Sequence, residues 1–368
     1  MSLHALPGRP PAANSLLVRC VNWIGDAVMT IPALRELRRH LPAAKITLMA
    51  RPWVIGLLEE QDFFDDAVAC ASEGSALDRW QQDRRRLERG RYDAALLLPN
   101  AIGPALLAAA AGIPERWGYA TDARQLLLTR SVPKGRALRG RHQCFHYLHL
   151  IRSLGLSPTS YLEDGPFRPE ARLTRSATQS ARAEETAARF GIFGTPRRPR
   201  VGIHAGASYG AAKRWFPERF GQVADGLFSR REAEIVFIGS AGERPLAEAI
   251  AGLAKYPVRI LAGETSLTEL LDLMSRMDLF LANDSGPMHL AAALDVPVLA
   301  IFGSTDPVAT APLCSRSILV RKETACSPCL LRECPLDLLC FDRISANEVL
   351  SQAETMLAET WKKRQTTV

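Results

Sequence analysis

Short apolar runs bounded by turn residues alternate with amphipathic stretches along most of the chain, a pattern typical of parallel α/β sheets. Apolar positions recur at helical spacing over residues 27–41, which predicts a helix after the first apolar run. Pro32 lies inside that pattern, so we expect it to kink the helix or to move its start to Thr30. The strands predicted in the first half are 16–21, 45–50, 67–70, 94–98 and, as a possible short strand, 116–119.

The second half repeats this alternation after a Pro- and Arg-rich region, of which 194–200 has the composition of a linker. Helical patterns over 267–277 and 288–294 separate several of its predicted strands. We therefore expect an α/β fold of two doubly wound, Rossmann-like domains, with ligands at the carboxyl ends of strands that face a central cleft. The strands predicted here are 201–204, 234–239, 259–262, 279–282, 298–302 and 318–320.

Composition agrees with two globular domains and favours an anionic partner. A chain of 368 residues is long for one core, and 47% hydrophobic with 23% charged residues is ordinary for a globular protein. The formal net charge of +7 leaves nucleic acid, a phosphorylated substrate and an anionic membrane surface open as partners. Residues 1–14 lack the apolar core of a secretory signal, and we expect them to be a disordered lead-in.

One uncharged segment, residues 94–114, is long enough to be considered as a membrane span. Turn-forming residues interrupt it, which favours a buried strand, a turn and an alanine-rich helix. We therefore expect no transmembrane helix there. The interrupting residues are Pro99, Asn100, Gly103, Pro104 and Gly112.

The sequence "NDSGPMH" at 283–289 joins a predicted strand to a predicted helix. Ser285 is a good helix N-cap residue, and Pro287 suits the first turn of a helix. The N–H groups at such a helix start attract phosphate. An ordinary capped helix has the same sequence, however, so turn chemistry alone leaves both interpretations open.

Two other loops follow predicted strands in the same way. After the strand at 201–204, small residues precede Lys213, which can reach a phosphate as a point charge. The spacing is not that of a Walker A loop, and a solvated surface loop is the other interpretation. After the first predicted strand, Asp26 is either a helix cap or a general base at the mouth of the cleft.

A basic segment, residues 123–142, contains no acidic residue. It is either a solvated face or a surface that binds an anionic substrate. It lacks the interleaved aromatic residues of single-strand nucleic-acid grooves, so we expect no nucleic-acid partner. Its basic residues are Arg124, Arg130, Lys134, Arg136, Arg139 and Arg141.

Four of the eight cysteines cluster as Cys326, Cys329, Cys334 and Cys340. A disulfide framework is not expected in a large chain without a secretory signal. Zinc sites more often contain paired C-x2-C units than three unequal spacings. We therefore favour reduced thiols with a structural role, and a zinc or iron site is the alternative.

Six motifs occur in order along the chain: "NWIGDAVMTIPAL", "LLLPNAIGPALLAAAAGIPERWGY", "GASYGAAKRW", "LAGETSL", "NDSGPMHLAAAL" and "CSPCLLRECP". Together they resemble the heptosyltransferases of lipopolysaccharide core synthesis, glycosyltransferase family 9. The resemblance covers most of the chain, and the cysteine motif resembles the branch that acts on an already heptosylated inner core.

That resemblance implies a GT-B enzyme that transfers L-glycero-D-manno-heptose from ADP-heptose with inversion and without a catalytic metal ion. The acceptor would be heptosyl-Kdo2-lipid A, and the enzyme would lie peripherally on the cytoplasmic face of the inner membrane. Residues 15–190 would bind the acceptor and residues 191–345 would bind ADP-heptose. Residues 346–368 would form a C-terminal helix and tail.

The resemblance also implies roles for single residues. Asp26 would be the base that deprotonates the acceptor hydroxyl, and the basic segment would face the anionic lipid A and Kdo groups. The implied donor-binding residues are Ser208 and Lys213 for the phosphates, Glu243 for the ribose, Thr265 for the adenine pocket, Asp284 for the heptose hydroxyls, and Ser285, Gly286 and His289 for the pyrophosphate.

Three alternatives stay open on the sequence. A sister transferase would use the same donor with a different acceptor, such as the enzyme that adds the first heptose. A nucleotide-sugar epimerase would share the architecture and need no acceptor. A non-catalytic nucleotide-binding protein would bind ADP without depending on Asp26 for any reaction.

Overall fold

The structure is a computed structural model, and it describes residues 13–157, 169–192 and 198–366. The chain divides into two compact units, Met1–Glu170 and Ala171–Val368. Each unit contains a six-stranded sheet in which every neighbouring pair of strands is parallel. The prediction of two doubly wound, Rossmann-like units is thereby confirmed.

In the first unit the strands follow the order β3-β2-β1-β4-β5-β6. The central strand β1 pairs with β2 on one side and with β4 on the other. Its residues Leu16 and Val18 are fully buried, because helices cover both faces of a parallel sheet. The strands are β1 (Ser15–Arg19), β2 (Lys45–Ala50), β3 (Asp66–Ala69), β4 (Ala94–Leu97), β5 (Glu115–Tyr119) and β6 (Arg130–Val132).

The first-unit helices are α1 (Ile24–His40), α2 (Pro52–Leu58), α3 (Ala76–Gly90), α4 (Ile102–Ala110) and α5 (Gln143–Ser153). Pro32 lies inside α1, which begins at Ile24, so the expectation of a start at Thr30 is wrong. Apolar burial outweighs the one hydrogen bond that a proline removes, since Val28, Ile31 and Leu34 are all buried.

In the second unit the strands follow the order β12-β11-β10-β7-β8-β9, which repeats the topology of the first sheet. Strand β10 pairs with β7, so the connection direction reverses between these two strands. The strands are β7 (Arg200–His204), β8 (Glu234–Phe237), β9 (Arg259–Ile260), β10 (Leu279–Asn283), β11 (Val298–Phe302) and β12 (Ser317–Arg321).

Helices α7, α8, α12 and α13 of the second unit contribute to a buried core against the sheet, which includes Trp215, Phe220 and Phe341. At Gly226 a Cβ would lie 2.3 Å from a methyl of Leu350, so the C-terminal helix packs closely on the unit. The helices are α6 (Ala177–Arg189), α7 (Pro217–Arg231), α8 (Arg244–Leu253), α9 (Leu267–Met274), α10 (Gly286–Ala293), α11 (Pro307–Thr310), α12 (Leu339–Asp342) and α13 (Ala346–Thr366).

The second unit begins at Ala171, whereas the sequence predicted that the first domain extends to residue 190. Helix α6 packs on α9 of the second unit. There the buried carboxylate of Asp272 accepts hydrogen bonds from Arg175 and from Arg182, whose Nε lies 2.7 Å away. Of the expected lead-in 1–14 and linker 194–200, residues 1–12 and 194–197 lie outside the described residues.

The uncharged segment at 94–114 forms β4, a turn and α4, as its proline and glycine residues predict. Within the described residues, no helix combines the length and the apolar character needed to cross a membrane.

Candidate functional site

The carboxyl ends of β7 and β10 form the switch point of the second sheet, where doubly wound proteins bind ligands. Strand β7 ends at His204, which is paired in register with Ala282 of β10. Helix α10 then begins at Gly286, with Ser285 at its N-cap in an extended conformation. The first N–H groups of α10 and the positive end of its dipole therefore lie at this switch point.

Lys213 reaches the same place from the loop that follows β7. Its Nζ lies 2.7 Å from Oδ2 of Asp284, and both side chains are largely buried, at 14% and 5% exposed. Thr310 also donates a hydrogen bond to Oδ2 of Asp284, at 3.4 Å. The structure thus brings together Lys213, Asp284 and the start of α10, which the family resemblance assigns to one donor site.

A buried polar chain connects the starts of two helical segments. Nδ1 of His204 lies 3.1 Å from the Ser285 hydroxyl, and its Nε2 lies 3.2 Å from Oε1 of Glu243. The other carboxylate oxygen of Glu243 accepts hydrogen bonds from the N–H and hydroxyl of Ser240. Burial alone would raise the pKa of Glu243, but these hydrogen bonds and the charge of His204 lower the pKa to about 2.

The loop after β7 is held in place by Asn283, which is fully buried at the end of β10. Its Nδ2 donates to the carbonyl of Ala205 at 2.7 Å, and its Oδ1 accepts from the N–H of Trp215 at 3.1 Å. The loop passes close to Glu243 at Gly206, where a Cβ would lie 1.9 Å from Oε1 of that carboxylate. One amide therefore fixes both ends of the segment that carries Lys213.

The remaining residues assigned to this site differ in exposure. Ser208 is exposed on the loop, and His289 is buried inside α10. Thr265 is half-buried and directly precedes Ser266, the N-cap of α9. Ser285 occupies the N-cap position of α10, as predicted. Its hydroxyl makes no capping hydrogen bond, however, and contacts His204 instead.

The cysteine segment, residues 326–340, packs against the loop that carries Lys213. The Tyr209 hydroxyl donates to the carbonyl of Leu330 at 2.9 Å, and the N–H of Ala212 donates to that of Arg332 at 2.9 Å. All eight cysteines are free thiols. Across the described residues, no three potential ligands are grouped to hold a metal ion.

In the first unit, Asp26 lies in the first turn of α1, just beyond the carboxyl end of β1. It is half-buried, and α1 packs against α5, where Tyr147 is buried. Burial and then the negative charge of Asp26 raise the pKa of Tyr147, so the carboxylate lies within electrostatic reach of that hydroxyl. Strand β1 borders β4 at the switch point of this sheet.

Arg124 does not belong to the exposed basic surface, which corrects its assignment to acceptor binding. Its guanidinium is fully buried and donates to the carbonyls of Tyr119, at 2.8 Å, and of Pro99. Burial lowers the pKa of Arg124 to about 10. Its role is to tie together the loops after β4 and β5.

The other basic residues of the segment remain accessible to differing degrees. Lys134, Arg136 and Arg139 are exposed, and Arg141 is half-buried. Nε of Arg130 lies 3.5 Å from a carboxylate oxygen of Glu115. Without Arg124, these residues are consistent with the predicted cationic surface for an anionic substrate.

His204, Asn283 and Tyr209 were not predicted from the sequence as site residues. His204 and Asn283 each end an apolar strand at the switch point, and a buried polar residue at that position is the signal that identifies them. Tyr209 interacts with residues more than a hundred positions away, and sequence spacing does not reveal such a contact.

Known proteins match this chain over most of its length. The sequence profile described as Glycosyltransferase family 9 (heptosyltransferase) matches residues 80–339. Lipopolysaccharide heptosyltransferase 2 of Escherichia coli is 31% identical over 316 residues, which are 83% of this chain and 87% of that protein. Lipooligosaccharide heptosyltransferase 2 of Haemophilus ducreyi is 29% identical over 317 residues, with 83% and 88% covered.

A solved structure agrees with these sequence relatives. The structure described as E. coli ADP-heptose lps heptosyltransferase II superimposes with a TM-score of 0.79 at 27% identity, covering 94% of this chain and 99% of that one. The profile match covers more than half of the 368 residues. The chain is therefore a glycosyltransferase and belongs to glycosyltransferase family 9, the heptosyltransferase family.

Proposed function

We propose that the protein transfers L-glycero-D-manno-heptose from ADP-heptose to heptosyl-Kdo2-lipid A, with inversion at the anomeric carbon. The observation that carries this proposal is the placement of Lys213 and Asp284 at the start of α10, in a family 9 fold. The names of the E. coli and H. ducreyi relatives support the heptose and the lipopolysaccharide acceptor. The similar E. coli structure is that of an ADP-heptose heptosyltransferase, which supports ADP-heptose as the donor.

The second unit would hold the donor. The start of α10 and the Lys213 ammonium face the pyrophosphate and stabilise the negative charge that develops on departing ADP. Asp284 would accept hydrogen bonds from heptose hydroxyls, and Ser285 and His289 would support the pyrophosphate. Glu243 and the residues around Thr265 would hold the ribose and the adenine.

The first unit would hold the acceptor and the base. Asp26 takes the proton from the acceptor hydroxyl while that oxygen forms the new bond to the anomeric carbon of heptose. The bond between that carbon and the phosphate oxygen breaks, and its electron pair leaves with ADP. This direct displacement inverts the anomeric centre.

The mechanism assigns charge stabilisation to Lys213 and α10 and requires no divalent cation. Transfer that persists at full rate in excess EDTA supports this assignment, and loss of transfer that Mg²⁺ or Mn²⁺ restores would reject it.

We further propose that the enzyme works peripherally at the cytoplasmic face of the inner membrane. The exposed Lys134, Arg136 and Arg139 would face the anionic lipid A and Kdo groups, and no nucleic acid takes part.

The proposed function is tested by incubating the purified enzyme with heptosyl-Kdo2-lipid A and either ADP-heptose or another nucleotide sugar. The proposal expects the acceptor to gain one heptose from ADP-heptose only. Chromatography of the nucleotide sugars without acceptor tests the epimerase alternative, which requires that they interconvert. Such interconversion, or equal transfer from UDP-sugars, would contradict the proposal.

A further inference from the structure

The part of the cysteine segment between Cys329 and Cys334 packs against the loop that carries Lys213. At Gly210 a Cβ would lie 2.3 Å from the backbone oxygen of Arg332, so the two chain segments cross in direct contact. The hydrogen bonds from Tyr209 to Leu330 and from Ala212 to Arg332 fix the crossing on both sides of Gly210. Arg332 is therefore held next to the residues that carry the proposed donor site.

Two cationic side chains lie against the ring of Tyr209. Nζ of Lys213 lies 5.6 Å from the ring centroid, and Cζ of Arg332 lies 5.3 Å from it. The tyrosine is 44% exposed, so this ring borders solvent rather than the core. Stacking on an aromatic face orients a guanidinium without neutralising its charge.

Lys213 is paired with a carboxylate, and Arg332, among the described residues, is not. Asp284 neutralises Lys213 at 2.7 Å, whereas in the described part of the chain no carboxylate pairs with Arg332. The start of α10 contributes only about half an elementary charge. A diphosphate carries more negative charge than these elements offset, so the site needs a further cation.

We infer that Arg332 is a further donor-binding residue, which binds the diphosphate of a nucleotide-sugar donor beside Lys213, with Tyr209 as its positioning residue. A guanidinium suits this role because its planar donors bind phosphate oxygens in a bidentate manner. The inference rests on the proposed function for the presence of a diphosphate-linked donor.

The test measures the affinities of adenosine, AMP and ADP by isothermal titration calorimetry. Arg332→Ala should weaken ADP binding about 10- to 100-fold and leave adenosine binding unchanged, as expected for loss of a charged hydrogen bond to phosphate. Arg332→Lys should recover part of the ADP affinity. Tyr209→Leu should weaken ADP binding like Arg332→Ala, and Tyr209→Phe should weaken it less because the ring remains.

The matched control is Arg231→Ala, an exposed arginine in the last turn of α7, which should bind ADP like the wild type. Unchanged ADP affinity in Arg332→Ala would overturn the inference. Equal loss of adenosine and ADP would also overturn it, because it would indicate a distorted loop. If the wild type binds UDP or GDP instead of ADP, the donor assignment fails, and the Arg332 comparison is made with that nucleotide.

Discussion

Lys213 and Asp284 form a largely buried ion pair, with Nζ of Lys213 2.7 Å from Oδ2 of Asp284. One residue follows β7 and the other follows β10, so the pair joins the two strands at the switch point of the second sheet. Asp284 orients the ammonium and also offsets its charge. An incoming pyrophosphate therefore competes with a carboxylate for Lys213.

Removing the lysine charge should impair transfer more than it impairs folding. We expect Lys213→Ala to lower kcat/KM for ADP-heptose about 100- to 1,000-fold, because a preorganised cation at the leaving group is lost. Lys213→Arg should retain part of the activity. Steady-state kinetics check this against Lys255→Ala, an exposed lysine outside the site, and equal rates in the two alanine variants would refute the leaving-group role.

The carboxylate of Glu243 should make stability depend on acidic pH. Its pKa is lowered from 4.5 to about 2, so its stabilising contribution is complete above pH 4.5 and is lost as the pH falls from there towards 2. Glu243→Gln should lower the free energy of unfolding at pH 7 by about 1–3 kcal/mol and flatten its fall below pH 4.5. Urea titrations from pH 7 to 3 measure both effects.

The exposed Glu73 provides the control for this titration, since Glu73→Gln should follow the wild-type curve. An unchanged slope in Glu243→Gln would show that the bonds from His204 and Ser240 do not set this pH dependence.

Arg124 should matter for stability and not for acceptor binding. Arg124→Met removes the buried guanidinium that bonds the carbonyls of Tyr119 and Pro99, so we expect a loss of about 2–4 kcal/mol in unfolding free energy. Arg139→Met, at an exposed position, should change it by less than about 0.5 kcal/mol. Equal stability of the two variants in thermal or urea unfolding would contradict the structural role.

The exposed basic residues should matter for the acceptor and not for the donor. Reversing the charges of Arg136 and Arg139 to Glu should raise the acceptor KM, with little change in the KM for ADP-heptose. Reversal of the exposed Arg85 and Arg89 on α3 changes the net charge equally and serves as the control. The cationic acceptor surface is rejected if both double variants have the wild-type acceptor KM.

Apolar periodicity was sufficient to predict most of the fold. The predicted strands 45–50 and 298–302 coincide with β2 and β11, because buried parallel strands are continuous apolar runs. Strand β6 was missed, since Arg130–Val132 is short and contains polar residues. The second unit begins earlier than predicted because Arg175 and Arg182 bond the buried Asp272, which is distant in sequence, and composition does not indicate such a contact.

Site prediction was limited by the same kind of distant contact. Lys213 was predicted from its position after an apolar strand, and Asp284 was assigned through the resemblance to family 9. The two residues meet because the strands that precede them end at one edge of the sheet. Arg124 was assigned to an acceptor-binding basic segment, although its guanidinium is buried among loop carbonyls. A run of charges in the sequence does not show whether a given side chain points into the protein or into solvent.

The most direct test of the account is single-turnover transfer from ADP-heptose to heptosyl-Kdo2-lipid A by the wild type and by Asp26→Ala. ADP affinity is measured on both proteins, and Glu36→Ala on the same helix is the control. We predict that Asp26→Ala binds ADP normally and transfers heptose at least about a thousandfold more slowly. Near-normal transfer by Asp26→Ala would contradict both the assigned base and the mechanism.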